Sequence, residues 1–449
     1  METRIIGIDL SVKAAHRAVV LDQRSNSFVS GLFGFQNYPA GLERVLAEAR
    51  AGASKDVQLK AVLEATGMAW YPVSVYLEDH GVAVYRVNGR QTADLRKVYN
   101  RYAKADRVDA HVLARLPMVA PDSLHRVWVP TGQQQALQRA CREVEQLNQL
   151  ASASKNRIGA IDGWAWLGWP LRSTHGPTSR WLRERWYNPW RVCSAGADAV
   201  TAAWREAHPD READLDWLPA LLRRAEQVVN LYGDPQQVDY DRLQDYVTRQ
   251  QHRWQRFAEK RHRLRLEDVR PLYRNLSPNR YLESLQGVGQ DSAAVYVAFT
   301  GDVRRFPSAR EYRGWSGLVP YSRQSGLAES GGLNLTQAGP DLIKATAFRN
   351  AEVARQWDPQ IAAVYHRQMM DYGKHHLQAV CACATHLLNR IYAVLRDQRP
   401  YEIRDANGNP VSKKRARQIC LAKYRVPDEV RARTNRRTQA KRRHRPLDR

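Results

Sequence analysis

Four carboxylate residues in the first quarter of the chain have the types and positions of a metal-binding cluster. They are Asp9, Glu64, Asp106 and Asp109. Carboxylate oxygens are hard ligands that suit Mg²⁺, an ion that keeps coordination positions open for phosphate oxygens. Four such groups repel one another unless a divalent cation lies between them. The pattern therefore predicts Mg²⁺-dependent chemistry at a phosphate group.

Strands and one helix are expected to bring these carboxylates together. Apolar runs predict buried strands over residues 4–9, 18–21, 59–63 and 82–87, and helical spacing predicts a helix over 106–116. Asp9 and Glu64 each end a strand, whereas Asp106 and Asp109 lie three residues apart on one helix face. The alternation of strands and helices predicts an α/β domain over residues 1–131.

Each carboxylate has a simpler explanation when it is taken alone. Asp106 is explained equally well as a helix cap, Asp109 as a surface charge, and Glu64 as the partner of an arginine. Asp9 is harder to explain this way, because it follows the buried residues 5–8. An actin-like ATPase also opens with such a strand, but it continues into a glycine-rich turn that this sequence lacks.

A glycine turn marks the start of a second candidate site, in the mainly helical region 278–400. Gly287 and Gly289 enclose one residue between two helical stretches, and such a turn lets backbone N–H groups approach a phosphate. Arg304 and Arg305 follow shortly afterwards and have the charge to contact the same anion.

A serine in the glycine-rich loop that follows is a candidate nucleophile. Ser325 precedes a glycine, and Arg323 lies close enough in sequence to neutralise a phosphate. Most serines in such loops only form turns. The chemistry of the loop does not separate Ser325 from Ser316 or Ser322.

The charge of the whole chain points to a polyanionic partner. The 449 residues carry a net charge of +24, and the pI is 10.1, which favours binding to nucleic acid. Residues 411–449 contain 15 Lys and Arg against 3 Asp and Glu. We expect a flexible, phosphate-binding tail there, the alternative being a solvated tail that only aids solubility.

The middle of the chain is predicted to be a helical arm with an insertion. Residues 132–160 and 240–270 read as polar helices that form a hairpin or coiled coil. Between them, residues 161–235 contain eight of the 13 tryptophans, among many arginines. These tryptophans either stack on bases or form the core of a small insert, and the sequence does not decide between the two.

The cysteines and the hydropathy pattern favour a cytoplasmic protein. The five cysteines form no CxxC pair, which argues against a zinc site, and their odd number argues against a disulfide framework. The sequence shows no signal peptide and no apolar run long enough to span a bilayer. We therefore expect a bacterial cytoplasmic protein without a membrane partner, associated with the nucleoid when active.

The order and spacing of these motifs resemble the DEDD recombinases of the insertion sequence one-ten family, which are related to Piv-type invertases. The resemblance covers residues 3–130 and 280–400. It rests on Gly7-Ile8-Asp9, Leu63-Glu64-Ala65-Thr66-Gly67, Lys104-Ala105-Asp106-Arg107-Val108-Asp109, Gly287-Val288-Gly289, Asp302-Val303-Arg304-Arg305-Phe306, Gly317-Leu318-Val319-Pro320, Gln324-Ser325-Gly326 and Gly373-Lys374. Gln286 and Ala338 depart from the family pattern, in which a proline and a basic residue are usual.

The resemblance implies both a fold and a mechanism. Asp9, Glu64, Asp106 and Asp109 match the metal-binding tetrad of an RNase H-like (RuvC-like) domain, and Ser325 matches the serine that forms a covalent phosphoserine link to DNA. A helical coiled-coil arm over 132–277, a mainly α transposase domain over 278–400 and a basic tail over 401–449 complete the expected chain.

The resemblance also implies partners. They are donor and target DNA, a structured bridge RNA that guides the enzyme, and a homodimer that assembles into a tetramer. We expect contacts to nucleic acid from Gly287, Gly289, Arg304, Arg305, Arg323 and Lys374. Two alternatives remain open: a metal-dependent nuclease or Holliday-junction resolvase that uses water as its nucleophile, and a non-catalytic nucleic-acid-binding remnant.

Overall fold

The computed structural model of the protein divides into two compact units, Met1–Thr131 and Gly132–Arg449. A mixed β-sheet forms the centre of the first unit. The structure describes residues 2–64, 67–87, 92, 106–121, 124–210, 215–319, 324–325, 328–329, 335–336 and 338–434. Within these ranges, the side chains of 106–108, 324–325 and 328–329 are not described.

Six strands form the sheet of the first unit. They are β1 (Thr3–Asp9), β2 (His16–Asp22), β3 (Ser27–Phe28), β4 (Phe33–Phe35), β5 (Gln58–Glu64) and β6 (Ala83–Val87). The order is β3-β2-β1-β5-β6, and β4 also pairs with β2. β1 runs antiparallel to β2 but parallel to β5, which is parallel to β6. The four strands predicted from the sequence are therefore confirmed.

Helices cover both faces of this sheet. α1 (Pro39–Arg50) and α2 (Trp70–Asp79) pack on the face that carries Ile6 and Ile8. α3 (Asp106–Val119) packs on the opposite face, against Ile5 and Val62. Because both faces are covered, the central strands are apolar on both sides, as a buried strand with a parallel neighbour requires.

Two long antiparallel helices form the arm that opens the second unit. α4 (Gly132–Ala165) starts at the main apolar core of this unit and runs away from it, and α8 (Tyr240–Leu264) returns along α4 in the opposite direction. The Tyr240 hydroxyl donates a hydrogen bond to the Ala165 carbonyl at one end, and Lys260 pairs with Glu143 towards the other. The predicted helical hairpin is confirmed.

Three shorter helices between them form the tryptophan-rich insertion: α5 (Pro177–Arg185), α6 (Pro189–Ala207) and α7 (Leu218–Tyr232). Four of its tryptophans are buried in one core, namely Trp166, Trp181, Trp186 and Trp204, and three more pack against that core. An ion pair between Asp162 and Arg183 is buried beside them. The structure therefore supports the core interpretation for seven of the eight tryptophans.

The remaining helices of the second unit surround an apolar core. They are α9 (Arg270–Leu276), α10 (Gln290–Thr300), α11 (Ala309–Ser316), α12 (Asp341–Ala354), α13 (Pro359–Met370), α14 (His376–Asp397) and α15 (Lys413–Lys423), with a turn of π-helix at Arg265–Val269 before α9. Two residue pairs, Gln324–Ser325 (β7) and Ala328–Glu329 (β8), form a small hairpin.

The expectation that the basic tail is flexible from residue 411 is wrong for its first part. α15 is a packed helix whose Ala416 and Cys420 are buried. The Arg417 guanidinium lies over the Trp357 ring and donates to the Gln356 carbonyl. The basic residues there alternate with small apolar residues that fit the core, a pattern that net charge alone does not reveal. Residues 435–449 lie outside the described part of the chain.

Candidate functional site

Asp9 and Glu64 lie at the ends of neighbouring strands. β1 and β5 run parallel in a register that pairs Ile8 with Leu63, so both chains leave the sheet at the same edge, one residue later. Both carboxylate residues are partly buried. The parallel register therefore accounts for the proximity that was expected from the sequence.

The two carboxylates also share a face of the sheet. Successive strand residues alternate between faces, so Asp9 is on the face of Ile5, and Glu64 is on the face of Val62. Ile5 and Val62 belong to the core cluster that α3 completes. The two acids are therefore on the side of the sheet where α3, the helix that carries the other two, packs.

Gly7 allows α3 to lie directly against β1. A Cβ atom at Gly7 would lie 2.0 Å from the Ala110 carbonyl oxygen and 2.5 Å from the Ala114 nitrogen. This contact fixes the helix on the strand two residues before Asp9, and Asp109 directly precedes Ala110. The motif Gly7-Ile8-Asp9 contains this glycine, and an isolated glycine within a buried strand is a sign of close backbone approach.

The structure describes the side chains of three of the four predicted metal ligands. Asp9 and Glu64 are adjacent, and Asp109 lies in the first turn of α3, partly buried. The helix begins at Asp106, whose side chain is outside the described part. Among the side chains that the structure describes, no three acidic, histidine or cysteine groups are close enough together to hold one metal ion. The donor set itself, four carboxylates, fits a hard cation such as Mg²⁺.

Two glycines lie at the two ends of the loop that carries Ser325. Gly317 and Gly339 have positive φ angles of 74° and 66°. A Cβ at Gly317 would lie 2.2 Å from the Ala338 oxygen, and one at Gly339 would lie 1.9 Å from the Trp315 oxygen. The Thr336 N–H donates to the Val319 carbonyl just above them. We call this closed loop base, residues 315–319 and 335–339 as far as they are described, the glycine clamp.

The structure separates one of the three candidate serines from the others. Ser316 is fully buried. Its hydroxyl donates to the Arg313 carbonyl and accepts from the Leu318 N–H, so it is a helix-end residue and not a nucleophile. Ser325 is in the short strand β7, whereas Ser322 and Arg323 lie outside the described residues.

The two glycines of the Gly287-Val288-Gly289 turn have different surroundings. Gly287 has a φ of 84°, and a Cβ there would lie 2.5 Å from the Asn350 oxygen of α12, so packing already requires this glycine. Gly289 caps α10, and a Cβ there would have nothing within 4 Å. Only Gly289 therefore has open space in front of its backbone.

The three predicted basic contacts that the structure describes also differ. Arg304 is exposed but is paired through two nitrogens with Asp302. Arg305 stacks on Phe306 and Trp315 and donates to the Thr300 carbonyl, so it stabilises the fold locally. Lys374 is exposed beside Gly373. Binding of nucleic acid by these residues stays a prediction.

None of the described helices combines the length and the apolar character that crossing a membrane requires.

Comparisons with known proteins agree with the two motif regions. Residues 6–161 match the family model DEDD_Tnp_IS110, described as a transposase, and residues 279–366 match the model described as "Transposase IS116/IS110/IS902 family". Together the two models match more than half of the chain.

Three curated relatives match shorter segments. The Insertion element IS110 uncharacterized 43.6 kDa protein of Streptomyces coelicolor is 34% identical over 129 residues, 29% of this chain and 31% of its own. The Insertion element IS900 uncharacterized 42 kDa protein of Mycobacterium paratuberculosis is 35% identical over 119 residues, 26% and 29% of the two chains. The Pilin gene-inverting protein of Moraxella lacunata is 25% identical over 123 residues, 27% and 38%.

The matched segment spans about a third of the length of these relatives. The two family models extend the similarity to the second unit, where the serine loop lies. The chain therefore belongs to the IS110 family of transposases, the insertion sequence one-ten family that its motifs resemble.

Proposed function

We propose that this protein is an RNA-guided DNA recombinase of an insertion sequence, which cuts and rejoins DNA strands through a serine nucleophile. Membership of the IS110 family supports the transposase activity. The name of the Moraxella relative, a gene-inverting protein, supports recombination between DNA sites. Guidance by a structured RNA, and a homodimer that assembles into a tetramer, follow from the family resemblance.

The observation that carries the proposal is the shared position of Asp9 and Glu64. They end adjacent parallel strands on the face that α3 covers. An antiparallel β1–β2 pair followed by parallel β5 and β6 is the strand arrangement expected of an RNase H-like domain. Nuclease-type domains need their acidic groups at one sheet edge, because a divalent cation has to contact several of them together.

The acidic tetrad would hold Mg²⁺ through Asp9, Glu64, Asp106 and Asp109. When bound, Mg²⁺ would polarise the scissile phosphate and stabilise the negative charge that develops on its oxygens. The protein itself fixes the spacing of the ligands: the β1–β5 register sets the first pair, and the contact of Gly7 with α3 sets the helix that carries the second.

The Ser325 hydroxyl oxygen would attack the phosphorus atom of a DNA phosphodiester. A bond forms between Oγ and phosphorus as the bond from phosphorus to one deoxyribose oxygen breaks, and the serine proton ends on that released oxygen. One phosphodiester replaces another, so the reverse reaction with a different strand end reseals DNA without ATP. The glycine clamp supports this role because it anchors both ends of the loop.

Trapping of a covalent protein–DNA adduct tests the proposal. Ser325→Ala is expected to bind nucleic acid but to form no adduct, whereas Ser322→Ala keeps most of the activity. Asp9→Asn is expected to lose strand cleavage in Mg²⁺, because one ligand charge is removed, and exposed Asp79→Asn serves as its matched control.

The adduct assay also separates the alternatives. Cleavage without any adduct would indicate a nuclease or resolvase that uses water. A DNA-linked peptide modified at Ser322 or at a tyrosine would overturn the assignment of Ser325. Binding of DNA with neither cleavage nor adduct, for the unaltered protein supplied with its guide RNA, would indicate a non-catalytic remnant.

A further inference from the structure

Trp164 is an exception among the tryptophans of the insertion. Its side chain is 46% exposed, while seven others are buried in the core of the insertion or packed against it. It lies in the last turn of α4, at the outer end of the arm. Exposure of a large aromatic ring costs hydrophobic free energy, so a ring held at such a place is a candidate contact for a partner.

An open groove of about 450 Å³ lies beside this ring. Tyr246 of α8 supplies a second aromatic side chain, and Arg242 and Arg249 supply positive charge. Gln237 and Asp239 add polar groups at the same groove. Aromatic rings next to arginines suit a nucleotide, because the rings stack on a base while guanidinium groups bind phosphate oxygens.

A stripe of arginines continues from the groove along α8. Arg249, Arg253, Arg256 and Arg263 follow at intervals of four, three and seven residues, which puts them on one helix face over about 21 Å. All four are exposed, opposite the buried Val247. No ion pair joins any of the four to another residue that the structure describes.

Acidic residues precede the stripe, around the beginning of α8. Asp239 pairs with Arg242, and Asp245 lies beside the beginning of the stripe. A phosphate is therefore favoured near Arg249 and further along α8, and disfavoured near Asp239. The groove consequently offers a base site at Trp164 and a phosphate path that leads away from it.

We propose that this surface, the arm-tip groove with its arginine stripe, binds a single-stranded RNA segment. One base stacks on Trp164 and Tyr246, and the following phosphates lie along Arg249, Arg253, Arg256 and Arg263. A duplex does not fit this role, because its bases are already stacked and do not offer a free face. The choice of RNA over single-stranded DNA rests on the proposed RNA guidance.

Binding of fluorescein-labelled 12-nucleotide oligonucleotides to the full-length protein tests the proposal. Three probes of one mixed sequence are used: single-stranded RNA, single-stranded DNA and duplex DNA. Trp164→Ala is expected to weaken RNA binding by about 5- to 100-fold, since loss of one stacked base has an effect of this order. Leu231→Ala is the matched control, because Leu231 is 61% exposed on α7 and does not line the groove.

A second variant tests the phosphate path. Arg249→Gln, Arg253→Gln and Arg256→Gln together are expected to lower the slope of log affinity against log salt by about 2 for RNA, at roughly 0.7 for each phosphate contact. All three residues are exposed, so circular dichroism is expected to show an unchanged fold.

Each contrary result overturns a defined part of the proposal. Unchanged RNA binding in Trp164→Ala would remove the base site, and an equal loss with duplex DNA would show a general electrostatic surface. An equal loss with single-stranded DNA would overturn the choice of RNA. Ser325→Ala has an unaltered groove and is expected to bind the RNA probe normally while forming no DNA adduct. RNA binding lost in Trp164→Ala but kept in Ser325→Ala is therefore a property of the groove and not of the proposed chemistry.

Discussion

At the scale of single residues, Gly7 is the position on which the acidic site depends most directly. The acids Asp9 and Asp109 belong to different elements, and only the absence of a Cβ at Gly7 lets those elements touch. Four carboxylates thus supply the proposed metal ligands, whereas the distance between the strand that carries Asp9 and the helix that carries Asp109 depends on a residue without a side chain.

We predict that Gly7→Ala destabilises the protein by about 1 to 3 kcal/mol and abolishes DNA cleavage. The added methyl group would meet backbone atoms of Ala110 and Ala114, which cannot move without displacing α3. Urea unfolding and a cleavage assay measure the two effects. Gly31→Ala is the control, because an added Cβ there has nothing within 4 Å. Wild-type stability in Gly7→Ala would contradict the close contact.

At the scale of elements, the glycine clamp fixes the two ends of a loop of about 20 residues that contains the candidate nucleophile. Both glycines have positive φ angles, and each contacts the backbone on the opposite side of the loop base. The Leu318 carbonyl is also held, by the Thr385 hydroxyl of α14. The loop therefore starts and ends at fixed points of a rigid helical core.

We predict that Gly317→Ala and Gly339→Ala each lower the yield of the covalent DNA adduct by about a hundredfold, because a shift of about 1 Å at a reacting group has an effect of that size. Quantitative gel analysis of the trapped complex measures the yield. Gly314→Ala, within α11 and without close neighbours, is expected to keep the normal yield. A normal yield in the two clamp variants would show that the loop base does not position the serine.

The tryptophan-rich insertion contains a titratable group with a shifted pKa. The pKa of His175 is lowered to about 4, first by burial of the ring and then by the positive charges of Arg183 and Lys155. The unfolded chain binds a proton at this residue below about pH 6.5, whereas the folded protein does so only near pH 4. The stabilising contribution is therefore complete above pH 6.5 and is lost as the pH falls towards 4.

We predict that His175→Gln reduces the loss of stability between pH 7 and pH 4.5 by roughly 1 to 2 kcal/mol, a range that allows for the part of the ring that water reaches. Urea unfolding followed by tryptophan fluorescence at the two pH values measures the difference. His262→Gln, an exposed substitution on α8, is the control. A pH dependence identical to that of the unaltered protein would contradict the shifted pKa.

At the scale of the whole molecule, the positive charge of the carboxy-terminal region is divided between the packed helix α15 and the last residues of the chain. α15 is basic but is held by Trp357 and by a buried face. The last 15 residues, 435–449, carry seven Lys and Arg and one Asp. Electrostatic binding by the carboxy-terminal end is therefore best tested on these last residues and not on everything after residue 410.

We predict that removal of residues 435–449 weakens DNA binding and lowers its salt dependence, by roughly 0.9 in the log–log slope for each phosphate that the protein no longer neutralises. Affinity measured at several salt concentrations gives the slope. A full-length variant with the seven basic residues changed to Gln is the control for chain length and is expected to behave like the truncation. An unchanged slope in both would exclude this segment from DNA binding.

The sequence by itself determined the elements and the family. Strands end at Asp9 and Glu64 because buried apolar runs stop there, and this local pattern is independent of the rest of the fold. The family resemblance, drawn from motif order and spacing, is confirmed by matches in both units. The helical arm was also predicted, because polar helices have a strong local signal.

Only the tertiary structure decided which side chains are available to a partner. Trp164 and Trp166 are two residues apart in sequence, yet the first is exposed and the second is fully buried. Ser316 reads as a loop serine but is buried, and α15 reads as a free tail but is packed. Burial depends on which distant segment packs against a residue, and residue type and local spacing carry no information about that segment.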